Sequence, residues 1–350
     1  MGQSVDGTRA TAVSGRERGC DLGVSGPMRL VRQSDSGGAN RDRTGAPSGA
    51  RGTARPAPTG PQVVARPSRP ARAALVLLTA GALAAGCGDG KPTPEVIKPA
   101  AGQQAKAELR QEQRAHAAAV KRWGLAKTPL PAPPAPAKKP HIDTREGFEV
   151  EDHEGLPPVF TTIPTKDKVV FLTIDDGAEK DPAFLRMMSE LKIPYTAFLS
   201  DYLVKEDYGY FKKMQAAGVS LNNHTLHHRY MPGLSYAAQK REICGMQDVI
   251  EKRYGKRPTL FRPPFGNYNE DTLRAAGACG IKAAPLWNEE VFVDRWDYRE
   301  WDRDLRPGDI VLSHFRGKED WEGTMPDMIR RFLKLITDKG YAVARLEDYL

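Results

Sequence analysis

Two carboxylates in succession, Asp175 and Asp176, follow the apolar run KVVFLTI, and three of the chain's seven histidines, His224, His227 and His228, fall within NNHTLHH. Adjacent carboxylates repel when both are ionised, so a pair at a buried strand end is favoured where a cation keeps both charged. Taken alone, Asp-Asp-Gly is also an ordinary turn. A separation of four puts His224 and His228 on one face of a single helical turn, a spacing suited to one metal ion, with His227 pointing elsewhere. Histidines so spaced also occur on solvated helices. Arg262 enters the rigid turn FRPPFG and can fork onto a carboxylate. His314 closes the run DIVLSH. Amide or ester hydrolysis near neutral pH needs a base before attack and an acid for the leaving group, and one Asp and one His can supply both while a metal activates water.

These residues must be held by a scaffold. From about residue 143 to 350, strand-like runs alternate with helix-like ones: KVVFLTI, then DPAFLRMMSELK, YTAFLS, YGYFKKMQAAG, and so on to MPDMIRRFLKLITDKG and YAVARLED. Repeated strand-then-helix units imply a parallel sheet covered by helices, open or closed into a barrel. In that architecture chemistry collects at the C-terminal ends of the strands, which is where Asp175, His224, Arg262 and His314 fall.

Together TIDDG, HTLHH, RPPFG and VLSH, in this order, resemble the motif set of the polysaccharide deacetylases (NodB-homology, carbohydrate esterase family four) over roughly residues 158–350. The resemblance implies an α/β fold, a distorted (β/α) barrel, that removes acetyl groups from N- or O-acetylated glycans. Asp176, His224 and His228 match the metal ligands, Asp175 the general base, Arg262 the residue positioning it, and His314 the general acid. Leu312 matches the apolar residue lining the acetyl pocket, and Pro264 and Phe265 match the substrate-binding turn, whose backbone N–H at Phe265 would help hold the oxyanion. Zinc is the expected ion, and the same ligand set accepts Co, Ni or Mn. Ile174, Arg229 and Phe265 stand where the family usually has Phe, Pro and Tyr. The fourth motif departs most: in LWNEEVFVDRWDY, Asn288 takes the place of an acid, leaving Glu289, Glu290 or Asp294 to reach His314 and raise its pKa. Trp287, Trp296, Trp301 and Trp321 offer faces for sugar stacking, Trp296 being the favoured one, although core packing is the commoner fate of tryptophan.

The chain of 350 residues carries a net charge of +8, but residues 1–72 hold 12 Arg and no Lys against 5 acids, leaving 40 basic and 39 acidic side chains downstream. A nucleic-acid-binding surface needs its charge on a folded face, so that class is set aside. Residues 1–65 are rich in Gly, Ser, Pro, Ala and Arg and are expected to be a disordered leader. Residues 66–87 pair arginines with the apolar run AALVLLTAGALAAG, the form of a secretory signal too short for a mature span. LAAGC resembles the bacterial lipobox, implying lipidation of Cys87 and attachment to the membrane from the extracytoplasmic side, with plain secretion the alternative. A start at Val63 or Val64 would give this signal a normal length. Residues 88–142 are expected to be a spacer, an exposed helix followed by a proline-rich stretch. Cys244 and Cys279 either pair in an oxidising compartment or remain buried thiols. The expected protein is a monomeric, membrane-tethered glycan deacetylase. A soluble enzyme for an acetylated small molecule and a non-catalytic glycan-binding lipoprotein are the alternatives, and retention of both Asp175 and His314 argues against the last.

Overall fold

The structure is a computed structural model that describes residues 101–152 and 154–350. The leader, the signal segment, Cys87 and the start of the spacer lie outside the described residues. In chain order the elements are α1 (Ala101–Arg122), β1 (Val159–Phe160), β2 (Val169–Asp176), α2 (Pro182–Leu191), β3 (Thr196–Leu199), α3 (Asp201–Val204), α4 (Tyr208–Ala216) and β4 (Ser220–Asn223). They continue with α5 (Tyr236–Tyr254), α6 (Glu270–Ala278), β5 (Ala284–Pro285), β6 (Glu289–Val291), β7 (Trp296–Tyr298), β8 (Ile310–His314), α7 (Met325–Asp338) and β9 (Ala342–Val343).

Local chemistry sets the element ends. Asp181 caps α2 by accepting from the Ala183 N–H, Pro182 supplies a preset first turn, and Lys192 stops the helix in a left-handed conformation. Reciprocal capping boxes start α6 (Asn269 with Thr272) and α7 (Thr324 with Asp327). A disulfide joins Cys244 of α5 to Cys279 at the end of α6, so of the two alternatives the paired one is found.

The central strand β2 is buried along its whole length, as its unbroken apolar run requires of a strand covered on both faces. It pairs in parallel with β3 on one side and β8 on the other, with β9 beside its start. β4 extends the sheet past β3 and β6 extends it past β8, with β7 antiparallel at the edge. Isolated bridges complete the circuit: Asn223 pairs with Phe261 and Leu260 with Ala283, after which the chain runs through β5 into β6. β1 pairs with β5, and Thr162 bridges to Asp309. The expected distorted (β/α) barrel is the fold. Strand side chains alternate accordingly: Phe171, Phe198 and Ile310 pack together inside, whereas Val170, Leu172, Ile174 and Val311 pack outward with α2 and α7.

The expected spacer is not free. Helix α1 is exposed over most of its length, but Ala119, Val120 and Trp123 are buried against α2, the Trp123 indole donates to Glu190 Oε2 at 2.7 Å, and Arg122 pairs with Glu190 at 2.8 Å. Further on, Leu130 bridges to Ala342 and Lys139 bonds the Leu350 carbonyl. The reason is that Ala119, Val120 and Trp123 gather one apolar patch at the end of an otherwise polar helix, and burial of such a patch stabilises docking. Among the described residues no helix is long and apolar enough to cross a membrane.

Candidate active site

Asp175 and Asp176 are the last residues of β2 and both are buried. Alternation directs Asp175, like Thr173, into the barrel interior, and the same rule on β8 directs Leu312 and His314 there. Asp176 leaves extended geometry at φ 81°. The histidine segment reaches the same place by a route other than the expected helical turn. Past β4 the chain is irregular, with Thr225 at φ 71° and His228 at φ 51°, left-handed conformations that fold it back on itself. The Thr225 N–H donates to Asn223 Oδ1 and the His228 N–H to Thr225 Oγ1, which offsets part of that strain. The ring centroids of His224 and His228 end 4.8 Å apart.

Asp176 Oδ1 lies 3.6 Å from His224 Nε2 and 3.4 Å from His228 Nε2, and it is buried without a hydrogen-bond partner among the described residues. His224 Nδ1 sits 2.7 Å from the Arg262 carbonyl, which only accepts, so Nδ1 carries the proton and Nε2 presents its lone pair. Burial pushes both imidazoles down to about 4, keeping them neutral near pH 7. Burial acts to raise Asp176, but His314, His228, His224 and Arg316 outweigh it and hold the carboxyl down at about 2. One carboxylate oxygen and two imidazole nitrogens, all within 4.8 Å of one another, fit a divalent cation. An orphaned buried oxygen facing two neutral imidazoles is otherwise costly.

Around this triad stand the remaining groups. Arg262 is fully buried: its Nη1 donates to Asp175 Oδ1 and Thr173 Oγ1, each at 2.9 Å, while Nε and Nη2 donate to the carbonyls of Pro285 and Leu286. Burial pushes Asp175 up to about 6 against the pull of Arg262. His314 Nδ1 lies 3.2 Å from Glu290 Oε1. Burial opposes a charge on His314, but Glu290 and the two aspartates overcome this and raise it to about 8. Phe265, at φ 61°, sets its ring 4.6 Å from that of His228, and Pro264 is buried in the same turn.

Of the three acids offered by the altered fourth motif, Glu290 meets His314. Its neighbour Glu289 faces the opposite way on β6, and Asp294 is exposed beside Arg295. Asn288 is an amide with three partners: its Nδ2 donates to Thr162 and Asp309 and its Oδ1 accepts from Arg145. Trp296 does not join the site. It pairs across from Val291, whose side chain faces out of the barrel, and stacks on Phe332 of α7 at 6.0 Å. An antiparallel partner shares its neighbour's face, so the helix layer takes this indole.

Two contributors were not singled out from sequence. Arg316 Nη2 holds the other oxygen of Asp176 at 3.0 Å. Glu242 on α5 clamps the histidine segment, accepting from the His227 N–H at 2.9 Å and lying 2.8 Å from His227 Nδ1, while its carbonyl accepts from Leu226 N–H. The signal for Glu242 was an acid on the stripe Gln239, Ile243, Met246 and Ile250, which faces the core.

The family model for polysaccharide deacetylases matches residues 162–284. An uncharacterised protein of Streptomyces coelicolor is 43% identical over 196 residues, 56% of this chain and 78% of that protein. A peptidoglycan-N-acetylglucosamine deacetylase of Bacillus cereus is 27% identical over 202 residues, 54% of this chain and 91% of that protein. The solved structure of a family 4 carbohydrate esterase from Bacillus anthracis aligns with 55% of this chain and 86% of that chain, at 25% identity and a TM-score of 0.46.

Proposed function

Because the chain belongs to the polysaccharide deacetylase family, carbohydrate esterase family four, we propose that it hydrolyses acetyl groups from glycans outside the cytoplasm, with Asp175 as base and His314 as acid. The observation that carries this reading is the unpartnered Asp176 Oδ1 facing the Nε2 atoms of His224 and His228, with Asp175 and His314 entering the same buried cup.

Asp176, His224 and His228 would hold the metal, which when bound polarises a carbonyl and makes water more acidic. Asp175 takes the proton from attacking water through Oδ2, the oxygen nearer His224, while Arg262 fixes Oδ1 and so aims the carboxylate. His314 returns a proton to the departing sugar nitrogen, and Glu290 keeps that proton available. Leu312, on the same face of β8 as His314, together with Phe265 gives the acetyl methyl an apolar wall. The Cys244–Cys279 disulfide suits an oxidising compartment, which supports an extracytoplasmic location with Cys87 as the lipid-bearing anchor.

The test is acetate release from chitooligosaccharides and peptidoglycan fragments, with and without chelator, beside an Asp175→Asn variant. The expected result is metal-dependent release that falls by about 10²–10⁴ in the variant. Release that persists after thorough metal removal, or a variant as active as the parent, would reject the mechanism. No release from either glycan with intact metal binding would favour the non-catalytic glycan-binding reading.

A further inference from the structure

We propose that the end of the barrel opposite the active site is a membrane-docking face, which seats on anionic phospholipid through a ring of lysines and the indole of Trp301. Several of the connections that feed strands at that end carry cations: Lys166 and Lys168 precede β2, Lys192 β3, Lys256 Leu260, Lys282 β5, and Arg303 precedes β8. These side chains are exposed. Of the acids at this end, Asp302 is held by Arg306, Asp304 by Lys339 and Glu347 by Arg345, while Asp167 is exposed between Lys166 and Lys168. Lys166, Lys168, Lys256, Lys282 and Arg303 have no carboxylate partner among the described residues. At the other end, the connections beside the active site mix the exposed acids Glu206, Asp207 and Glu319 with the exposed cations Lys205, Arg229 and Lys318, and Glu206 pairs with Lys180 at 3.3 Å. A plane of negative headgroups therefore attracts the end that carries the unpaired lysines.

Trp301 gives the face an apolar tip. It is 91% exposed, whereas Trp123 is buried and the remaining three tryptophans are half-buried. Strand pairing fixes its position: Tyr298 pairs with Glu289, which pairs with Val311 near the start of β8, and the chain beyond Tyr298 runs on past that end. The turn is built rather than loose. Glu300 is held by Arg145, Asp302 by Arg306 at 2.6 Å, and Arg303 N–H closes onto the Glu300 carbonyl with Arg303 at φ 55°. Backbone strain of this kind persists only where the surroundings enforce it, and here it accompanies an indole that is almost wholly exposed. Tryptophan beside basic residues is the pairing favoured at a bilayer surface, where the ring sits at headgroup level. Docked this way, the catalytic cup faces away from the bilayer. That consequence rests on the deacetylase reading; the docking itself does not.

The experiment is co-sedimentation of the full chain with vesicles of phosphatidylcholine alone or mixed with phosphatidylglycerol. It compares the parent, Trp301→Ser, and a triple variant Lys166→Glu, Lys256→Glu, Lys282→Glu. The apolar segment at residues 73–86 is common to all three, so the ratio between variants reports the face. Both variants should keep the parent's thermal midpoint and its acetate release from soluble chitooligosaccharide. The triple variant should lose at least about tenfold in partition onto the anionic vesicles, with the loss closing at high salt, and no change on phosphatidylcholine. Trp301→Ser should also weaken anionic-vesicle binding. Parent-like binding by the triple variant would overturn the proposal. Tight binding to soluble polyphosphate together with no effect of Trp301→Ser on vesicles would reassign the face to an anionic polymer and overturn it equally.

Discussion

Glu290 decides how long His314 keeps its proton as pH rises. In the proposed mechanism the protonated form of His314 is the working form, so activity should be present below its pKa, raised to about 8, and decline above it. Removing the carboxylate charge withdraws the contact that opposes desolvation, so the imidazole becomes easier to deprotonate. In Glu290→Gln the alkaline limb of a kcat/KM–pH profile should move to lower pH, with kcat/KM near pH 6 reduced less than at pH 8. An unmoved limb would show that the proton donor is another group. Glu289, one residue away, has no such effect because strand alternation turns it to the opposite face.

At the scale of elements, the proposed metal ligands depend on a helix that supplies none of them. The segment carrying His224 and His228 has two left-handed residues other than glycine, and α5 restrains it through Glu242, which grips the His227 backbone and ring, and through Gln247, which supports Asn223. Glu242→Ala should therefore release the segment and weaken metal affinity by about 10–100-fold in chelator competition. The stability of the metal-free protein should change little, since the clamp lies beside a solvent-exposed ring. Undiminished affinity would assign the clamp to packing alone. The disulfide between α5 and α6 reinforces the same side of the barrel, because α6 follows the Arg262 turn.

For the whole molecule, the buried Glu289 beside Asp309 makes stability depend on pH. Burial, and then the neighbouring Asp309, push the Glu289 carboxyl up from 4.5 to about 10. Below its ordinary value both folded and unfolded chains hold the proton. Between that value and about 10 the unfolded chain releases it while the folded chain retains it, so stability falls as pH rises. Glu289→Gln removes this titration. The variant should show a flatter decline of thermal midpoint from pH 5 to pH 9 than the parent and be the more stable of the two at the alkaline end; parallel curves would refute the assignment. Arg145 ties this region to the segment before β1, reaching Thr161, Asn288 and Glu300 at once. The chain ahead of the barrel is thus fastened at both α1 and Arg145, and the barrel is served by more sequence than its strands and helices alone.

What the sequence by itself determined were the features that depend on near neighbours. A fully apolar run meant a doubly covered strand at β2, and strand-like runs alternating with helix-like ones meant a parallel sheet with its chemistry at the strand ends. The candidate ligands were legible only as a set, since each motif alone also reads as a turn or a solvated helix, whereas the four in order resemble those of one family. Only the tertiary structure decided which partners those groups meet. Glu290 rather than Glu289 or Asp294 reaches His314, Trp296 goes to α7 and not to the cup, Arg316 holds Asp176, and the end of α1 docks on α2. Each of these is a contact between residues far apart in the chain or between competing faces. Such contacts follow from the register, the closure and the left-handed turns of the barrel, which no local pattern of residues specifies.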